Sequence, residues 1–337
     1  MSASPLIGPS ALMRSVDEYL TRAASRDVTV LITGETGTGK ELAAALVHSR
    51  SARRHARFVS VNCAAIPDGL LESELFGYES GAFTGAAGPR EGLLQLADRG
   101  TVFLDEVGDL ALMAQAKILR AIDTREVYRV GGKKPIPLDI RVVAATNHDL
   151  ETACEQGRFR KDLYFRLNVA RVHLPPLRNR TADIVALADH YLRQLNTRFN
   201  EQVEGFSADV LETLKTYDWP GNVRELKNLL EAVFICPPGR LVRFEDLPDW
   251  FRRRLRGICS LPPDERQRLI EALVCAKWNK SEAAKQLHWS RMTVYRKIAK
   301  YAVIKSDPRR VTPRDARATP SNESAPEGPS RDRLTQL

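Results

Sequence analysis

No run of the 337 residues stays apolar for the ~18 positions that a membrane-spanning helix needs. Met1 to Pro9 show no basic start followed by an apolar stretch, so no secretory signal is read there. Cysteine is sparse: Cys63, Cys154, Cys236, Cys259 and Cys275 are odd in number, scattered, and never spaced Cys-x-x-Cys. This usage argues against a disulfide framework or a zinc site and for a reducing cytoplasm. No repeat of fixed period is visible. From Ser306 onward five prolines, Ser, Thr and charges leave almost nothing apolar to bury, so 305–337 is expected to be a disordered tail.

What is present fits a globular chain of two or three domains, 43% hydrophobic and 28% charged. The net charge of +9 is unevenly placed: residues 251–305 carry +10, against −2 before them and +1 after. That concentration suits a nucleic-acid-binding module; by charge alone a solvated basic surface suits it equally.

Short β-branched runs alternate with helical spacing over the first half. The runs are Val28–Thr33, Phe58–Asn62, Thr101–Leu104, Ile140–Ala144 and Val169–Val172. Such alternation predicts a parallel sheet between helices. From Thr181 to about Pro237 only helices are expected, with Trp219-Pro220-Gly221-Asn222 as a turn. The expected divisions are an α/β subdomain at 1–175, a helical lid at 176–237, a proline-bearing linker at 238–263 and a helix-turn-helix at 264–304.

Gly34-Glu35-Thr36-Gly37-Thr38-Gly39-Lys40 follows the first strand and precedes a helical pattern from Glu41. Its glycines let backbone N–H groups curl around phosphate oxygens at a helix N-terminus, and Lys40 would reach the outer phosphates. Glu41 stands where the general pattern has a magnesium-binding Ser or Thr. Thr101-Val102-Phe103-Leu104-Asp105-Glu106 ends a buried strand in two carboxylates. Asp105 could hold Mg²⁺ and Glu106 could polarise a water; alone, the pair also reads as an acidic helix start.

Gly81-Ala82-Phe83-Thr84-Gly85-Ala86 follows Leu75-Phe76-Gly77. Its residues describe a glycine-rich loop whose Phe83 either packs into the core, as in an ordinary surface loop, or stands out to grip another protein. Near the C-terminus, Asn279 to Lys300 has helix-turn-helix form. Ser281 is expected to cap a first helix, His288-Trp289 to turn, and Ser290 to cap a second whose Val294 and Ile298 face inward. Arg291, Thr293, Tyr295, Arg296 and Lys297 would then face outward, to read a major groove or to serve a dimerising hairpin.

These motifs together make the chain resemble the AAA+ bacterial enhancer-binding proteins that activate sigma-54 RNA polymerase. GAFTGA is that family's signature, and six fixed residues recur by chance at odds on the order of 10⁻⁵. The resemblance covers about 5–303 and includes GETGTGKE, FVSVNCAA, LESELFG, TVFLDE and WPGNVREL, so Glu41 is the family's own residue. It implies an α/β P-loop ATPase with a helical lid and a Fis-like helix-turn-helix, usually with Gly where His288 stands. It implies ATP and Mg²⁺ as cofactors, with the loop 34–41 binding nucleotide and Gly81–Ala86 contacting sigma-54. By the same resemblance Asn62 holds the catalytic glutamate until nucleotide is sensed. Asn147 senses the γ-phosphate, Arg224 is a second sensor, and Arg160 and Arg166 reach the neighbouring subunit's nucleotide in a homo-hexameric ring. Alone, each arginine reads equally as a surface salt bridge.

The expected protein is a cytoplasmic, nucleoid-associated ATPase that binds double-stranded DNA and remodels sigma-54 RNA polymerase. Many members carry an N-terminal sensing domain; none is expected here, leaving control to expression level, a partner acting in trans, or neither. Two other readings remain: a DNA- and nucleotide-binding regulator that does not remodel polymerase, and an AAA+ motor for another substrate.

Overall fold

A computed structural model describes residues 8–84 and 86–259, and then 269, 272–273, 276, 278–287, 289 and 291–300. Contacts divide the chain after Leu255, and the two units are described separately. Five strands form one parallel sheet: β1 (Val30–Thr33), β2 (Phe58–Asn62), β3 (Thr101–Asp105), β4 (Arg141–Thr146) and β5 (Ala170–His173). Their order is β2-β3-β4-β1-β5. The position of each strand follows from its side chains. The inner strands β1, β3 and β4 are buried almost throughout, as strands covered on both faces must be, whereas the edge strand β5 alternates buried and exposed.

Period-two alternation divides the core between the sheet's faces. Val30, Ile32, Phe103, Val143 and Ala145 join helices α1 (Ala11–Ala24) and α2 (Lys40–Ser49) in one cluster. Leu31, Val102, Leu104, Val142 and Ala144 face the other way, toward α3 (Asp68–Phe76), α4 (Leu93–Leu96), α5 (Leu112–Thr124), α6 (Leu150–Glu155) and α7 (Lys161–Leu167). Arg141 at the start of β4 is buried, and its guanidinium donates to the Ala23 and Ala24 carbonyls that end α1. Terminal carbonyls of a helix lack intrahelical partners, and a cation suits that end of the dipole.

The lid comprises α8 (Thr181–Phe199), α9 (Ala208–Thr216), α10 (Asn222–Val233) and α11 (Asp249–Cys259) around its own core. Its extent corrects the expected end at 237. Residues read as a proline linker fold onto the lid: Leu241–Val242 pairs in parallel with Gly205–Phe206, and Pro248 leads into α11. Phe251, fully buried, stacks on Trp219 at 5.8 Å and meets Tyr217 edge-on at 5.0 Å. Phe251→Ala is expected to cost about 3–5 kcal/mol of stability, the range for deleting a buried aromatic, as measured by chemical unfolding.

In the second unit α12 (Lys280–Gln286) and α13 (Arg291–Lys300) form the helical pair. Ala283, Ala284 and Val294 are buried between them. The cap of α12 is Asn279, not Ser281: the Asn279 carboxamide accepts from the Ser281 and Glu282 N–H groups, as an extended residue just before a helix can. Ser290, His288, Gly85 and the tail at 305–337 lie outside the described residues.

Candidate nucleotide and partner-contact sites

Three adjacent strands, β3, β4 and β1, deliver their C-terminal ends to one place, where ligands of open parallel sheets bind. Beyond β1 the loop 34–39 turns through left-handed backbone at Gly37 (φ 81°) and Gly39 (φ 106°). A Cβ on Gly37 would stand 2.3 Å from the Gly221 carbonyl oxygen, while one on Gly39 would meet nothing within 4 Å. The first glycine is demanded by lid packing, the second by backbone conformation alone. Helix α2 starts at Lys40 without a side-chain cap, so its leading N–H groups and positive dipole end face a cleft of about 750 Å³. That volume is within the ~300–1,000 Å³ of small-molecule sites.

Thr36, Gly37, Gly39, Lys40 and Glu41 line this cleft with Asn62, Asp105, Glu106, Asn147 and Arg224. Gly34, Glu35 and Thr38 do not: the Thr38 hydroxyl turns back onto the Glu35 carbonyl, and the Gly34 carbonyl accepts from Lys40 Nζ at 3.0 Å. Lys40 Nζ also lies 3.1 Å from Glu106 Oε1. Glu106 sits at φ 53°, ψ 51°, a strained conformation for a residue with a side chain. The second Glu106 oxygen accepts from the Asn147 backbone N–H at 2.9 Å, and the Asn147 carboxamide donates to Thr36 Oγ1 at 3.1 Å.

Asn62 departs from the expected arrangement. Its Oδ1 accepts from the Ala64 and Ala65 N–H groups, and among the described residues Glu106 is held by Lys40 and Asn147 instead. The turn after β2 offers two N–H groups close to Asn62 and captures its carbonyl end. Burial, then the neighbouring Glu106, pushes the Asp105 carboxyl above its usual range, against the pull of Lys40.

Arg160 and Arg166 lie away from the cleft. Arg160 pairs with Asp162 at 2.7 Å, and Arg166 with Asp123 of α5 at 3.0 Å. Sequence reasoning missed Asp109, Tyr191, Val223 and Lys227, which also line the cleft. The signal for Asp109 was at hand, three residues past Glu106 in a 3-10 turn.

Cys63 is buried beside the acids. Burial and the charges of Asp105, Asp109 and Glu106 push its thiol up to about 12. Thiol titration of the native protein near pH 8 is therefore expected to modify exposed Cys236 and leave Cys63 intact until denaturation.

The loop carrying Phe83 rises from a short antiparallel ladder, Gly77–Tyr78 with Arg90–Glu91. Phe83 is 44% exposed and leans edge-on against Tyr78 at 5.0 Å, so it does not belong to the core. Thr84 is exposed, and the Gly81 and Ala86 backbones close the turn at 2.9 Å. The ladder's base is tied to a second turn: Val130 N–H donates to the Gly77 carbonyl, and Glu79 N–H to the Val130 carbonyl. In α13, Thr293 is half-buried, Arg296 is exposed, and Lys297 Nζ sits 5.0 Å over the Trp289 ring. Arg291 and Tyr295 also belong to α13.

Among the described residues no helix is long and apolar enough to cross a membrane. Comparison with known families matches residues 6–173 to the sigma-54 interaction domain, 178–257 to the AAA+ ATPase lid domain, and 260–301 to the Fis family of bacterial regulatory proteins. The transcriptional regulatory protein ZraR of Salmonella typhimurium is 44% identical over 301 residues, 88% of this chain and 68% of ZraR. The nitrogen fixation protein AnfA of Azotobacter vinelandii is 41% identical over 308 residues, 89% of this chain and 58% of AnfA. Among solved structures, NtrX from Brucella abortus in complex with ADP has a TM-score of 0.69 at 31% identity, covering 89% of this chain and 70% of that one. NtrX in complex with ATP has a TM-score of 0.67.

Proposed function

Because this chain belongs to the sigma-54-interacting AAA+ family of transcriptional activators with a Fis-type DNA-binding region, we propose that it hydrolyses ATP in a hexameric ring to remodel sigma-54 RNA polymerase. The observation that carries the reading is the convergence of Lys40, Asp105, Glu106, Asn147 and Arg224 on one cleft at a helix N-terminus. The division of labour we assign is nucleotide work to the α/β subdomain and lid, polymerase contact to 81–86, and DNA binding to 264–304. In the last, the DNA contacts are assigned to Ser290, Arg291, Thr293, Tyr295, Arg296 and Lys297. The protein acts in the cytoplasm, on promoters that its DNA site selects.

The cleft fits the substrate and its metal. Lys40 and the start of α2 supply positive charge for phosphates, and the open approach at Gly39 lets backbone come close. Among the described residues no three His, Cys, Asp or Glu side chains form a metal cluster on their own. Magnesium sites in nucleotide enzymes are built otherwise, from one or two carboxylates plus the substrate's phosphates, and half-buried Asp105 suits that role. When bound, the ion neutralises charge on the transferring phosphoryl group. Glu106 takes the proton of the attacking water, Asn147 registers the γ-phosphate, and Arg224 holds the lid against it.

Arg160 and Arg166, remote from their own cleft, act on the neighbouring subunit's phosphates. Arg166→Ala and Lys40→Ala proteins are each expected to be inactive alone. Mixed together they should regain part of the phosphate-release rate, because an intact cleft of the first kind meets an intact arginine of the second. Absence of any recovery, with both variants folded and assembling, would remove the ring from the reading.

A further inference from the structure

The carboxylate of Glu35 lies outside the cleft, in a clamp between the phosphate-binding loop and the lid. Arg178, at the start of the lid, engages it with both terminal guanidinium nitrogens, Nη1 at 2.8 Å. The Asn222 carboxamide donates to Glu35 Oε2 at 3.2 Å and to the Thr36 carbonyl at 3.0 Å. Its own oxygen accepts from the Leu177 N–H at 2.8 Å. One buried side chain thus joins three segments: the loop, the strand-to-lid connection and the first residue of α10. Val223 N–H adds a bond to the Gly37 carbonyl at 3.0 Å. Asn222 adopts φ 52°, a conformation asparagine tolerates better than most side-chain-bearing residues.

Resting on the ATPase reading above, we propose that Glu35, fixed by Arg178 and Asn222, is a positioning residue that seats the start of α10, and with it Arg224, against the phosphate-binding loop. Arg224 is in the first turn of α10 and lines the cleft. Through the bidentate Arg178 contact above all, the Glu35 carboxyl is held down to about 2, so it stays charged at any working pH. Glu35, Arg178 and Asn222 do not themselves line the cleft. The clamp meets its lining at the backbone carbonyls of Thr36 and Gly37 and not at the acids of β3, so the effect on chemistry assigned to it runs through Arg224.

Steady-state ATP turnover, ATP affinity and melting temperature of the full chain test this on Glu35→Gln, Arg178→Gln, Asn222→Gly and Arg224→Ala. Asn222→Gly keeps the left-handed backbone while deleting the side chain that makes the clamp's hydrogen bonds. Each clamp variant is expected to lose kcat by roughly tenfold to a hundredfold, the scale of an ångström-sized misplacement in an active site. KM should stay near that of the parent, because uniform binding is retained. Adding Glu35→Gln to Arg224→Ala should cost nothing further, the signature of a residue acting through another. Parental kcat in the clamp variants, or multiplying losses in the double variant, overturns the proposal. If Glu35→Gln does not fold, Arg178→Gln, at an exposed position, carries the same comparison. A parent protein that does not hydrolyse ATP would instead overturn the ATPase reading itself.

Discussion

Glu106→Gln is expected to bind ATP at least as tightly as the parent and to hydrolyse it roughly 10²–10⁴-fold more slowly, the contribution of a general base. Glutamine keeps the side chain's shape, and its amide oxygen can still accept from the Asn147 N–H. It cannot take a proton from water. The Glu106 carboxylate also sits 3.1 Å from Lys40 Nζ, so it competes with phosphate for that ammonium. An uncharged amide releases Lys40 to the substrate, which is why affinity should not fall. Lys40→Ala gives the opposite pattern, losing binding and turnover together. Titration with a fluorescent ATP analogue and a phosphate-release assay separate the two, and rapid hydrolysis by Glu106→Gln would move the base elsewhere, with Asp109 the next candidate in the cleft.

For Thr84→Ala the expectation is reversed: ATP turnover within about twofold of the parent, and open-complex formation with sigma-54 polymerase reduced about thirtyfold or more. Thirtyfold corresponds to ~2 kcal/mol, the threshold for a contact central to an interface. The loop should survive the change, because its closing hydrogen bonds are backbone to backbone and Phe83 rests on Tyr78. What disappears is a hydroxyl and a methyl from an exposed tip. Promoter opening on a pre-melted template beside a duplex one would show whether the loss lies in contact or in later strand separation. Normal opening on duplex DNA would favour a nucleotide-binding regulator that leaves polymerase unremodelled.

The sheet was readable because its inner strands are buried on both faces. Within Val28–Thr33, Val30, Leu31 and Ile32 are apolar in succession, as burial on both faces requires, and the folded strand Val30–Thr33 contains them. The phosphate loop was readable because its glycines answer to backbone geometry, which spacing records. The clamp was not. Glu35 and Asn222 are 187 residues apart, and nothing local about either announces the other. The lid's end was misread for a different reason. Prolines at 237, 238 and 248 look like linker punctuation, yet Pro248 stands just before α11, where its missing N–H costs nothing and its carbonyl accepts from Phe251. Asn62 shows a third kind of limit: its position followed from the pattern, but its hydrogen bonds went to the nearest turn.

Where Gly37 meets Gly221, loop and lid touch backbone to backbone, with room for no side chain on the loop. Side chains at a joint can change rotamer and absorb part of a displacement before passing on the rest. The contact of Gly37 with Gly221 has none to absorb it, and the Glu35, Arg178 and Asn222 side chains beside it are held by hydrogen bonds. A displacement of the phosphate loop is therefore expected to be passed to the start of α10, and one of α10 to the loop. Whatever grips the lid from outside therefore adjusts the affinity of the loop by the same free energy with which nucleotide adjusts the lid, as reciprocity between coupled sites requires.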